Sequence, residues 1–277
     1  MSECELPAEH PASILYTRVF TVLLTRWQMM STFLRVAELG ATSAESQLGF
    51  ENLLFAKRLV NGPDFDQFFK DKAGFLAFFD GETGLAQRLT NEQVGSARSA
   101  SAAAALVFAH SALDLCVSDL CRVAALCRPS DWDDWIDARK LPFSEARSTP
   151  LADIRQTLVV KAVDEISRQS LLTRTDRLFA LCKPSNGTTI LRNFTFDRVR
   201  LERLDTLRHE VVHGIGNESR VTAVDSEIEF LHKTGLFLAS MIHLRYGVQV
   251  DPSQMFLARS TRSIIEETRE VTRDASA

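Results

Sequence analysis

The sequence has few of the features that mark secreted, membrane-spanning or disordered proteins. Its five cysteines form no Cys-x-x-Cys pair, and three of them follow one apolar helical pattern, so we expect reduced cysteines in the core of a cytoplasmic protein. The N-terminus is acidic and lacks the basic and apolar regions of a secretory signal. Arginines interrupt the most apolar early stretch, residues 14–36, which therefore does not predict a membrane span. No Gly/Pro-rich or low-complexity segment indicates general disorder.

Strand patterns are also missing, and this predicts an all-α fold. Apolar residues recur at steps of three and four along nearly every segment, most regularly from Leu106 to Cys127. We expect the first helix to end at Gly40, which would cap it, and residues 80–99 to separate two regions. The predicted helices cover residues 11–38, 43–60, 64–79, 99–127, 151–171, 173–182, 197–213, 221–246 and 253–271.

Charge is unevenly distributed, although the net charge is only −4. Counting Lys and Arg against Asp and Glu gives −7 for residues 1–138, +5 for residues 139–220 and −2 for residues 221–277. The basic excess coincides with a cluster of Arg and His at residues 207–214. It fits either a polyanion bound near that cluster or an arginine-decorated helix surface.

One motif in the cluster matches a zinc site. His209-Glu210-Val211-Val212-His213 has the His-Glu-x-x-His pattern, in which two histidines one turn apart bind zinc and the glutamate activates water. A third protein ligand is required, and the longer pattern would place it at Ser219. More distant candidates outside any recognisable motif are Glu227, Glu229 and His232. Zinc peptidases also present an edge strand on which the substrate lies, and this sequence predicts no strand. The zinc interpretation is therefore the less favoured one.

A second motif begins one residue earlier. Arg208 and His213 give Arg-x4-His, with the polar His209 directly after the arginine and Gly214 directly after the second histidine. The helix that precedes them carries a Leu-x-x-Leu-x-x-Leu pattern over residues 201–207. On a regular helix the two motif residues lie about 140° apart, so they converge only if the helix ends at Gly214 or if two chains face each other.

The same region resembles the HEPN superfamily over residues 97–246. Many members are metal-independent ribonucleases with an Arg-x4–6-His signature, and residues 105–114 are similar to the family's long first helix, where an acidic residue often occupies the position of Asp114. The resemblance implies an HEPN-like helical bundle at 96–250, preceded by an additional N-terminal helical region, 1–95, and followed by a C-terminal helix and tail, 251–277.

The resemblance also implies an activity and partners. It implies an endoribonuclease that needs no metal or other cofactor, with Arg208 and His213 in catalysis and His209 assisting. The expected partners are RNA, a second copy bound through the HEPN-like domain, and a protein partner or antitoxin. No membrane partner is expected. Members of the family act in prokaryotic antiviral defence and toxin–antitoxin stress responses, so we expect such a role.

The chemistry of this interpretation is coherent. The ribose 2′-OH can attack the adjacent phosphate, giving a 2′,3′-cyclic phosphate and a free 5′-OH, if groups are present to accept a proton, donate a proton and stabilise the phosphorane. His213 can exchange a proton near neutral pH, and Arg208 can bind two phosphate oxygens. Two alternatives remain open: a non-catalytic HEPN-like module that binds RNA, nucleotide or protein, and an Arg208 that merely pairs with Asp205 or Asp114. His110 could approach the cluster, although a partly buried, hydrogen-bonded histidine is the favoured prediction for it.

Overall fold

The computed structural model describes residues 7, 10–62, 65, 71–132, 150–183, 194–213 and 224–251. Every regular element in these ranges is helical, which confirms the predicted all-α class. The elements are α1 (Pro11–Asn61), α2 (Lys72–Phe78), α3 (Gly81–Cys127), a 3-10 turn (Pro129–Trp132), α4 (Leu151–Ile166), α5 (Leu171–Cys182), α6 (Arg198–Val212) and α7 (Val224–Tyr246). The helix predicted at 253–271 lies outside the described residues.

Two helices are longer than the sequence pattern suggests. Gly40 lies inside α1, so the helix end predicted there is wrong. A glycine in a helix interior costs only about 1 kcal/mol relative to alanine, which the hydrogen bonds of a long helix outweigh. Helix α3 begins at Gly81 and passes through residues 82–99 without a break, so the helix start predicted at residue 99 is also wrong. The apolar period of α3 is weak in the sequence of this stretch because Thr90, a buried polar residue, occupies a core position.

The chain divides into two compact units, whose boundaries fall inside α1, α3 and α6. The first unit takes residues 1–28, 108–210 and 225–277, and the second takes residues 29–107 and 211–224. The predicted division after residue 95 lies within α3 and stays a prediction.

In the first unit, α1, α3 and α7 pack closely around Gly235. A Cβ atom at this position would come within 3.0 Å of Leu23 and 3.5 Å of Leu113, so only glycine fits without a shift. Tyr16 on α1 donates a hydrogen bond to the carbonyl of Ala239 on α7 at 2.9 Å. Helix α3 is long and apolar enough to cross a membrane, but half of its most apolar window is buried inside the protein, as in a core helix.

The cysteines of α3 lie where the sequence pattern places them. Cys116 and Cys121 are buried and form no disulfide, which confirms that they are core residues. Burial raises the pKa of both thiols to about 12, so neither is ionised at neutral pH.

In the second unit, α1 and α3 run antiparallel as a pair. Asn52 on α1 donates hydrogen bonds to Thr90 and Gln93 on α3, each at 3.0 Å. Arg98 and Glu38 form an ion pair at 2.9 Å further along the same two helices. A small apolar core is formed where α2 joins them, by Ala56, Leu85 and Ala86 together with Leu53, Leu59, Phe75, Phe79 and Leu89.

Candidate functional site

Helix α6 carries the motif and is held in the first unit by its apolar face. The helix begins where the carboxylate of Asp197 accepts a hydrogen bond from the backbone N–H of Arg200 at 3.0 Å. Leu201 and Leu204 are completely buried, and Leu207 is half-buried. The leucine pattern that precedes the motif is therefore the packing face of the helix, as the sequence predicts.

The arginines in the first half of α6 are neutralised by carboxylates of neighbouring helices. Each pair joins α6 to α5 or α7: Arg198 contacts Asp176 at 2.9 Å, Arg200 contacts Glu227 at 2.8 Å, and Arg203 also contacts Glu227. The guanidinium of Arg200 additionally lies 4.6 Å from the ring centre of Phe230. In this half of the helix, the basic excess of the sequence serves internal ion pairs.

Arg208 differs from these three arginines. It is half-buried, and its Nε atom is shielded from solvent without a hydrogen-bond acceptor. Among the residues that the structure describes, no carboxylate lies within ion-pair distance of its guanidinium. The pairings considered from the sequence do not form, because Asp205 contacts His110 and Asp114 contacts Arg174.

The contact between His110 and Asp205 places a histidine of α3 beside the motif. His110 is 2% exposed, and its Nε2 atom lies 2.9 Å from Oδ1 of Asp205. Burial lowers the pKa of His110, and the positive charge of Arg208 lowers it further, whereas Asp205 and Asp114 act to raise it. His110 is therefore uncharged near neutral pH.

A closed network lies one turn further along α3. Arg174 of α5 is 3% exposed and contacts the carboxylate of Asp114 and the hydroxyl of Ser118. It also donates to the backbone carbonyl of Asp114 at 3.1 Å. The acidic residue that resembles the family's first-helix position is thus engaged by Arg174 rather than Arg208.

The remaining motif residues lie at the end of α6. His209 is exposed and Glu210 is half-buried, both in the last turn of the helix. The helix ends at Val212, so His213 lies in the following turn, where it is exposed. Arg208 and His209 belong to the first unit and His213 to the second, and Gly214 lies outside the described residues.

The zinc interpretation gains no support from the described residues. Among them, no three His, Cys, Asp or Glu side chains are arranged to hold a metal ion. Each distant ligand candidate has another contact: Glu227 pairs with Arg200 and Arg203, Glu229 with Lys233 at 2.6 Å, and the ring of His232 stacks on Trp27 with 4.3 Å between centres.

Sequence reasoning predicted Arg208, His209 and His213 as site residues and allowed that His110 could approach them, but it did not predict the contact of His110 with Asp205. No motif connects a histidine of α3 with α6, since their contact depends on tertiary packing. The available signal was its position four residues before Asp114, which places both on one face of the helix. No protein-family model, no curated protein and no solved structure matches this chain.

Proposed function

We propose that the protein is a metal-independent endoribonuclease of the HEPN type. In this proposal Arg208 binds the scissile phosphate, His213 exchanges a proton with the reacting oxygens, and His209 assists. The observation that carries the proposal is that the guanidinium of Arg208 has no carboxylate partner among the residues that the structure describes, in a helix whose other three arginines pair with carboxylates.

An arginine in this state is suited to an anion. A guanidinium offers five N–H donors in a planar fork that matches two oxygens of a phosphate. Where a carboxylate already occupies that fork, as for Arg200, an incoming phosphate must displace it. Arg208 has no such competitor among the described residues, and its partial burial strengthens the attraction to an anion.

The neighbours of Arg208 support a positioning role for the pair on its inner side. Asp205 lies one turn before Arg208 on α6 and is one-third exposed, while His110 is buried. His110 is uncharged near neutral pH, so it does not compete with Arg208 for a phosphate. The contact of His110 with Asp205 joins α3 to α6 one turn before Arg208.

The proton transfers require one group that accepts a proton and one that donates a proton. In the proposed reaction a base takes the proton of the 2′-OH, the oxygen attacks phosphorus, and an acid protonates the departing 5′-oxygen. The products are a 2′,3′-cyclic phosphate and a 5′-OH. His213 and His209 have the side chains for these steps, and a second copy of the chain would allow motifs from two chains to share one cleft.

The proposal is tested by incubating the purified protein with single-stranded and hairpin RNA in EDTA. We expect fragments that end in a 2′,3′-cyclic phosphate and begin with a 5′-OH. Arg208→Ala and His213→Ala should abolish cleavage. Arg198→Ala is the matched control, because it removes the same charge from the same helix at an exposed, paired position, and it should cleave normally.

Three results would contradict the proposal. Cleavage retained by both Arg208→Ala and His213→Ala would exclude the motif as the catalytic site. RNA binding that depends on Arg208 but is never followed by cleavage would indicate the non-catalytic module. Cleavage abolished by EDTA, in protein purified with stoichiometric zinc, would favour the zinc interpretation through His209, His213 and Glu210.

A further inference from the structure

An apolar stripe runs along the outer side of α1 in the second unit. Its positions follow one another at steps of four and three residues: Met29, Phe33, Val36, Gly40, Ser43, Gln47, Phe50 and Leu54. The five large apolar side chains in this set are between 40% and 64% exposed. The five form two groups, at residues 29–36 and 50–54, separated by Gly40, Ser43 and Gln47. Single exposed apolar side chains are normal on a protein surface, whereas groups of them on one helix face can mark an interaction site.

The stripe is separate from the face by which α1 packs within its own chain. That face is carried by the buried or half-buried positions 30, 34, 37, 41, 45, 48, 52 and 56. The outer side of α3 in the same unit is polar, with Gln87, Asn91 and Glu92 exposed. Among the described residues of this helix pair, the exposed apolar surface therefore lies on α1.

We propose that this stripe, residues 29–54 of α1, pairs antiparallel with the same stripe of a second copy of the chain. Alternating steps of four and three are the spacing of helices that pack along a shared seam. A two-fold axis midway between residues 41 and 42 brings large residues together at both ends and small residues together in the middle. It places Met29 opposite Leu54, Phe33 opposite Phe50, Val36 opposite Gln47, and Gly40 opposite Ser43.

The order of sizes favours the antiparallel arrangement. A parallel, in-register pair matches any sequence with itself, so it does not require the order of large and small residues to be symmetric along the helix. An antiparallel pair does require that symmetry, and three of the four pairs have it, whereas the fourth places Val36 opposite the polar Gln47. Antiparallel helices also oppose their dipoles favourably. At the centre, no atom lies within 4 Å of a Cβ built on Gly40, so a partner helix can approach closely there.

Charge and area fit a second copy as the occupant. None of the eight stripe positions is charged, so two stripes meet without burying an unpaired charge. The 26 residues span about 39 Å, and a helix about 10 Å wide presents roughly 400 Å² of footprint per copy. Both copies together contribute roughly 800 Å², which is below the roughly 1,200–2,000 Å² of stable interfaces and in the range of weak ones, so we expect a weak, reversible dimer.

Sedimentation equilibrium of the full chain tests the proposal over about 1 to 200 µM. The wild type should pass from monomer to dimer in this range. Phe33→Glu/Phe50→Glu should weaken association by roughly 100-fold or more. Position 33 of each copy faces position 50 of the other, so each of these two contacts would bring two carboxylates together. Phe55→Glu is the matched control, since Phe55 is 52% exposed on the same helix but outside the stripe, and it should dimerise normally.

Phe33→Glu/Phe50→Lys tests the orientation. In an antiparallel pair Glu faces Lys in both layers, so this variant should dimerise about tenfold more tightly than Phe33→Glu/Phe50→Glu. In a parallel pair Glu would face Glu, and the two variants would behave alike. Equal association of the two variants, a monomeric wild type at the highest concentration, or a dimer unaffected by Phe33→Glu/Phe50→Glu would each overturn the proposal. Circular dichroism should show unchanged helicity in all variants, and the inference does not depend on ribonuclease activity.

Discussion

Two arginines of the first unit lie near the same face of α3, one turn apart, and their surroundings are opposite. Arg174 is buried and contacts a carboxylate, a hydroxyl and a carbonyl of α3. Arg208 is half-buried, has no carboxylate partner among the described residues, and lies close enough to His110 to lower the pKa of that imidazole. The two arginines differ in both burial and partners. We therefore expect Arg174 to stabilise the fold, whereas the proposed function assigns Arg208 to a phosphate.

The largest effect predicted from this comparison concerns the partner of Arg174. Asp114→Ala should lower the free energy of unfolding by about 3 kcal/mol, because it leaves a buried guanidinium without its counter-charge. Arg174→Met should cost less, because the carboxylate of Asp114 is 45% exposed and can be solvated by water. Urea denaturation of both variants measures the difference. Equal losses, or a larger loss in Arg174→Met, would show that the network contributes mainly through packing.

The second prediction concerns Arg208, where activity rather than stability should change. If the proposed function holds, Arg208→Ala should reduce RNA cleavage by at least about 100-fold, the effect of removing one donor group from a phosphorane site. Its urea midpoint should stay close to that of the wild type, because no described carboxylate loses a partner. Arg208→Lys should recover only part of the activity, since an ammonium cannot bind two oxygens in a planar fork. A strongly destabilised Arg208→Ala protein would mean that Arg208 has a structural role like that of Arg174.

The sequence predicted the all-α class and most helix positions, because the apolar period of three and four residues is a local property. It predicted breaks near Gly40 and before Ser99 that do not occur, because a glycine or a weak apolar pattern lowers helix preference without ending a helix already fixed by packing. In the site, the leucines of α6 were predicted correctly from their spacing. The partners of Asp205 and Asp114 could not be predicted, since they depend on which helices meet in three dimensions.

The third prediction uses the pKa of His110 to measure the charge on each neighbour. Arg208→Ala should raise this pKa, because a positive charge that disfavours the imidazolium is removed. Asp205→Asn should lower it, because the carboxylate that favours the imidazolium is lost. NMR titration of the His110 ring checks both directions. Shifts of the same sign in the two variants would contradict the arrangement of His110 between Asp205 and Arg208.

The lowered pKa of His110 also predicts how the free energy of unfolding changes at acid pH. Its pKa is lower in the folded protein than in the unfolded chain, so the unfolded chain binds the proton first as pH falls below about 6.5. Stability should therefore decline from about pH 6.5 downwards. His110→Phe should make that decline shallower, by up to about 1.4 kcal/mol per pH unit for one proton. His232, with a pKa lowered to about 4 by burial, should account for part of the remaining slope. An unchanged slope in His110→Phe would show that His110 is already accessible to protons in the fold.

The smallest effect should come from Arg198, which has a carboxylate partner like Arg174 but is exposed to solvent. Its side chain is 52% exposed and that of Asp176 is 48% exposed, so water solvates both groups equally well when the pair is broken. Arg198→Ala should therefore leave the urea midpoint unchanged within error, at both low and high salt. Measured beside Asp114→Ala, this variant separates the effect of ion pairing on stability from the effect of burial. If Arg198→Ala were as destabilising as Asp114→Ala, pairing alone would determine the contribution of an arginine, and the burial of Arg174 would have no special importance.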